Sequence, residues 1–192
     1  TIVKQLVEKY ARKTLSAGLA DNPLVCGLDD DLYWNREDEA IPTLRGVLDG
    51  MNINSLICAE PAEPYQTILR YLAGRYPKTI TPGDCETRTF LHDLPVTQSF
   101  SADALLARLK KRKSVIIAEN ENIRVVTCGT VSPEQAFVTF SSVCFSSFVL
   151  FFSDFLTDLR RGEATARQRE TYSKIFPLID KPPGHSPALM QG

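Results

Sequence analysis

The sequence predicts a layered α/β domain built on a mixed sheet. Three observations lead there: short apolar runs that read as buried strands, helical patterns between them, and a polar tetrapeptide joining two strand-like runs as a hairpin. The chain has 192 residues, which fits a single unit over 1–180 followed by a tail over 181–192. Apolar residues make up 43% and charged residues 23% of it, ordinary proportions for a globular protein. The net charge of -1 supplies no field to gather nucleic acid or anionic lipid, and neither is expected as a partner.

Ile2 to Ala20 opens the chain as a helix, with Val3, Leu6, Val7, Tyr10 and Ala11 forming a stripe opposite Lys4, Glu8 and Arg12. Asp21-Asn22-Pro23 breaks it. Val25-Cys26-Gly27 then leads to Asp29-Asp30-Asp31, a solvated turn before a short strand at Leu32-Tyr33-Trp34. The alternating ligands and distal Glu of a calcium loop are missing there. Ala40 to Met51 patterns as a helix through Leu44, Val47 and Leu48.

Asn54 to Ala59 is an apolar run bounded by polar residues, the mark of a central strand buried on both faces. Pro61 to Pro64 turns it into a helix over Tyr65 to Tyr76. Thr79 to Val96 sustains no period and contains Pro82-Gly83-Asp84, which predicts a long ordered loop with room for one short strand. Ser101 caps a helix over Ala102 to Lys113. Ser114 to Ala118 and Ile123 to Cys128 flank Glu119-Asn120-Glu121-Asn122 as the two arms of the hairpin.

The longest element runs from Ser132 to Arg161 and holds seven of the ten Phe. Ser132 as N-cap, Pro133 in the first turn and Gln135 three residues after the cap spell a capping box. Phe137, Phe140, Cys144, Phe148, Phe151, Phe155 and Leu159 share one side, with Val143, Phe145, Val149, Phe152 and Leu156 further round. So wide an arc predicts a helix buried on most sides. Ala136 to Ser153 carries no charge, but its six Ser and Thr make it too polar for a membrane span, and no membrane partner is expected. Arg160, Arg161 and Gly162 close the helix. A polar helix over Thr165 to Ile175 and the tail Pro182-Pro183-Gly184-His185-Ser186-Pro187 complete the chain.

Five cysteines, widely spaced and never as C-x-x-C, argue against a disulfide framework or zinc knuckle. Reduced thiols in a cytoplasmic protein fit them best. No basic-then-apolar leader precedes the first helix, so no secretion signal is expected.

Three places are candidates for chemistry, and the third, Glu119-Asn120-Glu121-Asn122, reads as no more than a solvated turn. Cys58-Ala59-Glu60-Pro61 ends the central strand, where open α/β sheets place their sites. Cys58 and Glu60 could bind a metal or act as nucleophile and base, or they could be a buried structural thiol beside a surface carboxylate. The loop residues Asp84, Cys85, Glu86 and Arg88, with His92 and Asp93, form the densest polar cluster. His92 beside Asp93 could be an oriented general base or a metal ligand, or the loop could simply be tied down by its own Asp and Arg hydrogen bonds. Two histidines in all cannot build a three-histidine zinc site. Phosphate-binding glycine loops and the G-x-S-x-G and H-E-x-x-H motifs are absent.

The layout resembles the class II aldolase/adducin family. That family has a strand pair ending in Asn-His-Gly, with a further Gly before a helix that begins near Thr-x-Glu-x-Ala. Here Asn122-Ile123-Arg124-Val125-Val126-Thr127-Cys128-Gly129 is similar, followed by Ser132-Pro133-Glu134-Gln135-Ala136. The family's His-x-His-Pro resembles Cys58-Ala59-Glu60-Pro61, and Ala17-Gly18-Leu19 resembles its early Gly-Leu. Its Gly-Asn-x-Ser phosphate turn has no counterpart in Val25 to Leu32.

The resemblance implies a three-layer α/β/α, class II aldolase-like fold and a homo-oligomer. It would imply a zinc-held enediolate only with the histidines present, and Cys58, Glu60 and Ile123 stand in their places. No metal and no cofactor are therefore expected. The preferred expectation is a small-molecule-binding or assembly module that has lost zinc-dependent aldolase activity. The rival is a lyase or epimerase-type enzyme on a small phosphorylated or carboxylated substrate. In it His92, Asp93, Glu86, Cys58 and Glu60 would converge as acid-base groups, with Arg88 and Asp84 binding substrate and zinc or another divalent metal possible. The rival requires His92 and Cys58 to share one pocket.

Overall fold

A computed structural model describes residues 1–179, apart from the side chains of Cys85 and Glu86. The expected tail at 181–192, with His185, lies outside the described residues. Strands β1 (Leu24–Leu28), β2 (Leu32–Trp34), β3 (Ser55–Ala59), β4 (Thr79–Ile80), β5 (Leu94–Thr97), β6 (Ser114–Ile117) and β7 (Arg124–Gly129) form one sheet. Their order is β2-β1-β3-β7-β6-β5-β4. Only β5 and β6 pair in parallel, so the sheet is mixed as expected.

The helices are α1 (Ile2–Ser16), α2 (Ile41–Gly50), α3 (Tyr65–Arg75), α4 (Cys85–Leu91), α5 (Ala102–Leu109), α6 (Pro133–Arg161) and α7 (Ala166–Ile179). Strand alternation divides the apolar residues between two cores. Ile57, Ala59, Ile116 and Val125 pack with Val7 of α1, Leu69 of α3 and Phe140 of α6. Leu56, Cys58, Val115 and Val126 pack with Leu44 of α2 and Leu105 of α5. The result is three layers, α/β/α. Every residue of β3 is buried, because it is paired on both edges and covered on both faces. The four cysteines with described side chains, Cys26, Cys58, Cys128 and Cys144, are free and buried.

Three expectations change. Thr79 to Val96 is not one loop but β4, α4 and β5. Asp84 starts α4 by accepting the Thr87 N–H at 2.7 Å, and Pro95 inside β5 disguised that strand. The capping box of α6 is only half formed. The Gln135 N–H is taken by the Ser132 carbonyl at 3.1 Å, which removes the target of the Ser132 hydroxyl. The Gln135 side chain instead accepts from the Val131 N–H at 2.8 Å.

Third, α6 is not buried on most sides. Its inner faces lie on β7, β3, α1 and α3, yet Val138, Phe145, Leu156 and Leu159 are exposed. Among the described residues α6 is also the one helix long and apolar enough to cross a membrane, with 50% of its most apolar window buried within the protein. The Thr127 hydroxyl donates to the Ala136 carbonyl at 2.7 Å and ties β7 to the first turns of α6.

Gly129 ends β7 where the chain turns toward α6. A Cβ there would lie 2.4 Å from the Ser132 carbonyl oxygen and 2.5 Å from the Ser55 hydroxyl. Gly129→Ala is expected to destabilise the protein by about 2 kcal/mol, read as a lowered urea midpoint at unchanged m-value.

Candidate functional site

The carboxyl end of β3 and the amino end of β7 meet at one edge of the sheet, because the two strands run antiparallel in the register Cys58↔Val126 and Ala59↔Val125. A cleft opens over this edge. It has two adjoining lobes of about 500 and 400 Å³ that share Glu39, Glu60, Asn122 and Arg124. The start of α3 and the segment leading into α2 form its walls, contributing Gln66 and Arg36, Asp38, Glu39 and Ala40.

Gln66 sets the approach to β7. Its side-chain amide donates to the Ile123 carbonyl at 2.9 Å and accepts from the Ile123 N–H at 2.6 Å. This backbone clamp turns the Ile123 side chain into the helix-lined core, where it is 2% exposed. Arg124 follows, its guanidinium 3.7 Å above the Phe100 ring and 3.4 Å from Glu119 Oε2. On the opposite wall Arg36 pairs with Asp38 at 2.5 Å and donates to the Asn22 carbonyl at 2.9 Å. Asp38 also accepts the Ala40 N–H at 2.8 Å.

Electrostatics follow from this arrangement. Burial pushes the Asp38 carboxyl up, but the Ala40 N–H and the Arg36 and Arg124 guanidiniums outweigh burial and hold it below the usual carboxylate range. The Cys58 thiol is pushed up to about 12, mainly by burial, against the lowering field of Arg124. Without a metal cation beside it, the thiol is therefore neutral at neutral pH and a weak nucleophile. Asp21, Asp38, Glu39, Glu60, Glu63, Glu119 and Glu121 line the two lobes against only Arg36 and Arg124, leaving the cleft anionic.

The sequence candidates divide into two groups. Cys58 and Glu60 line the cleft. The other group sits around α4 and does not. Strands β3, β6 and β5 run in one direction, so Cys58 at the end of β3 and His92-Asp93 just before β5 lie at opposite ends of the sheet, with β7 and β6 between them. His92 is an exposed residue closing α4 at φ 61°. Asp93 forms an ion pair with Arg112, which with further hydrogen bonds outweighs burial and holds its carboxyl below the usual range. Asp84 caps α4, and Arg88 is exposed in its last turn. The side chains of Cys85 and Glu86 lie outside the description. The shared pocket for His92 and Cys58 that the rival required is not formed.

Sequence reasoning missed Arg36, Asp38, Glu39 and Arg124. Arg124 left a signal, since it stands where the resembling motif has a glycine. The cleft also answers whether a divalent cation fits. Ile123 offers no donor, which leaves Cys58 and Glu60, two ligands where a zinc site needs three or four. Among the described residues no three His, Cys, Asp or Glu side chains stand together as a cation-binding group.

No protein-family model and no curated protein matches the sequence. Solved structures do match. The l-fuculose-1-phosphate aldolase of Thermus thermophilus superposes with a TM-score of 0.64 at 13% identity, over 85% of this chain and 98% of that one. YgbL of Klebsiella pneumoniae, a candidate aldolase/epimerase/decarboxylase, gives 0.58 at 15% identity, over 79% and 89%. The Escherichia coli YgbL gives 0.59 at 14%, over 79% and 91%. At such identities the likeness is one of fold.

Two measurements test the electrostatics. Iodoacetamide at pH 8 is expected to leave Cys58 unlabelled in the folded protein and to label it on unfolding; fast labelling of the native state, mapped by mass spectrometry, would contradict its neutral thiol. Asp38 has a folded pKa below its unfolded one, so its stabilisation is complete above the ordinary carboxylate range and fades as pH falls through the folded value. The stability gap between wild type and Asp38→Asn, from urea titrations, should hold at pH 6 to 7 and close below about pH 4.

Proposed function

On the class II aldolase fold that this chain carries, we propose that it is a binding module rather than a zinc-dependent aldolase, with the cleft over the shared end of β3 and β7 receiving a small polar molecule. The observation carrying this reading is the donor set at the sheet edge: a buried thiol at Cys58, an aliphatic side chain at Ile123 and the one carboxylate of Glu60, two donors where zinc needs three or four. The separation of His92 from Cys58 favours it over the acid-base rival.

The ligand is neutral or amine-bearing and rich in hydroxyl groups. Glu39 and Glu60 accept hydrogen bonds from hydroxyl or ammonium groups, Asn122 offers both donor and acceptor, and Arg124 presents a fixed donor. A phosphorylated sugar suits the cleft poorly. Both guanidiniums already face carboxylates, and carboxylates outnumber them along the walls. The buried, free thiols point to a reducing compartment.

The test uses l-fuculose 1-phosphate with and without added zinc. The proposal expects no turnover in either condition and no zinc bound stoichiometrically in calorimetry. Zinc-dependent turnover that is lost in Glu60→Gln would overturn it.

A further inference from the structure

Gln66, Arg70 and Gly74 follow one another at steps of four residues and so share one face of α3. The first clamps the backbone of Ile123. One turn on, the Arg70 Nε–H donates to the Glu121 carbonyl at 2.6 Å and a terminal nitrogen to Asn122 Oδ1 at 3.4 Å. These bonds fix the Arg70 guanidinium against the turn between β6 and β7. A further turn along, Gly74 seats Arg167 of α7. A Cβ at Gly74 would lie 2.7 Å from a terminal nitrogen of Arg167 and 3.3 Å from its Cζ. Glycine inside a helix weakens it, and here the missing side chain leaves the room in which the guanidinium lies.

Both arginines line one cavity of about 410 Å³, with Gln98 and Asn120 as polar neighbours and Ala73 and Ala118 as apolar wall. The hairpin turn separates this cavity from the cleft, since Asn120 and Glu121 line both. Among the described residues neither guanidinium forms an ion pair, whereas Arg36, Arg112 and Arg124 each face a carboxylate. Glu121 is the one carboxylate of the lining.

We propose that this cavity binds a small organic phosphate monoester, gripped between Arg70 and Arg167. Two fixed guanidiniums about one helical turn apart repel each other. Arg167 also stands in the first turn of α7, where the macrodipole disfavours a cation. A dianion between the two side chains offsets both costs. Guanidinium forks match phosphate oxygens in geometry as well as charge, and two forks can share the three oxygens that a monoester presents. The cavity exceeds what a phosphate ion fills, and its apolar wall suits an organic body on the ester. The cleft, where carboxylates outnumber the two arginines, repels the same ligand.

Titration of the full chain with inorganic phosphate at constant ionic strength, followed by nuclear magnetic resonance, tests the proposal. Saturable binding is expected at about 1 mM. It should shift the Nε–H signals of Arg70 and Arg167 and the amides of Gly74 and Glu121, while Glu60 and Arg36 in the cleft stay unmoved. Phenyl phosphate should bind about tenfold more tightly through its apolar body, and acetate about tenfold more weakly. Arg167→Gln, at an exposed position, should weaken phosphate binding about tenfold or more, whereas Glu121→Gln should tighten it about threefold. Should Arg167→Gln disturb the fold, Gly74→Ala provides the second variant, because it displaces the guanidinium and should weaken binding in the same way. Absence of saturable shifts in the millimolar range, shifts centred on Glu60 and Arg36, or undiminished binding in Arg167→Gln would overturn the proposal. So would acetate bound as tightly as phosphate, or phenyl phosphate bound no more tightly than inorganic phosphate.

Discussion

The pairing of β3 with β7, held in register at its cleft end by the Gln66 amide, is the constraint on which the rest depends. Gln66 satisfies both backbone groups of Ile123 in a buried setting, where losing either bond would cost about 1 to 3 kcal/mol. That clamp decides which way each following residue of β7 points. Ile123 and Val125 go to the core under α3 and α6, Val126 goes to the core under α2 and α5, and Arg124 is left to line the cleft. At the other end of the same strand, Thr127 and Gly129 fix where α6 begins.

The side chains at the sheet edge fit one another as a set. An aliphatic residue at position 123 suits a clamp that directs it inward, whereas a polar ligand residue there would be buried without a partner. Arg124 supplies positive charge next to Cys58, Asp38 and Glu60. Its guanidinium is fixed by Phe100 on one face and Glu119 at its edge. Arg124 is thus a cationic group on the cleft floor whose charge is offset by the carboxylates around it.

Much of this architecture was legible because it rests on local pattern. The hairpin of β6 and β7, the buried strand β3 and the long helix α6 each announced themselves by period and by flanking polar residues. What escaped was set by contacts between distant segments. The α4 region hid because one seven-residue helix is too short for a period to show and Pro95 masked β5. The outer face of α6 was read as buried because a wide apolar arc has the same sequence signature whether the sheet covers all of it or half. In the cleft, Cys58 and Glu60 were found from their place at a strand end. Arg36, Asp38 and Glu39 were not, because only the turn after β2 brings them over that strand. His92 misled for the same reason, being near Cys58 in chemistry but at the far end of the sheet in space.

The central claim is that an aldolase-type scaffold persists here around a cleft that holds no divalent cation. The most direct measurement is anomalous diffraction at the zinc absorption edge from crystals grown with excess zinc. The account predicts no anomalous peak in contact with Cys58 Sγ or the Glu60 carboxylate, and Arg124 resting on Phe100. A well-occupied peak bridging Cys58 and Glu60, with Arg124 displaced from the cleft floor, would contradict it.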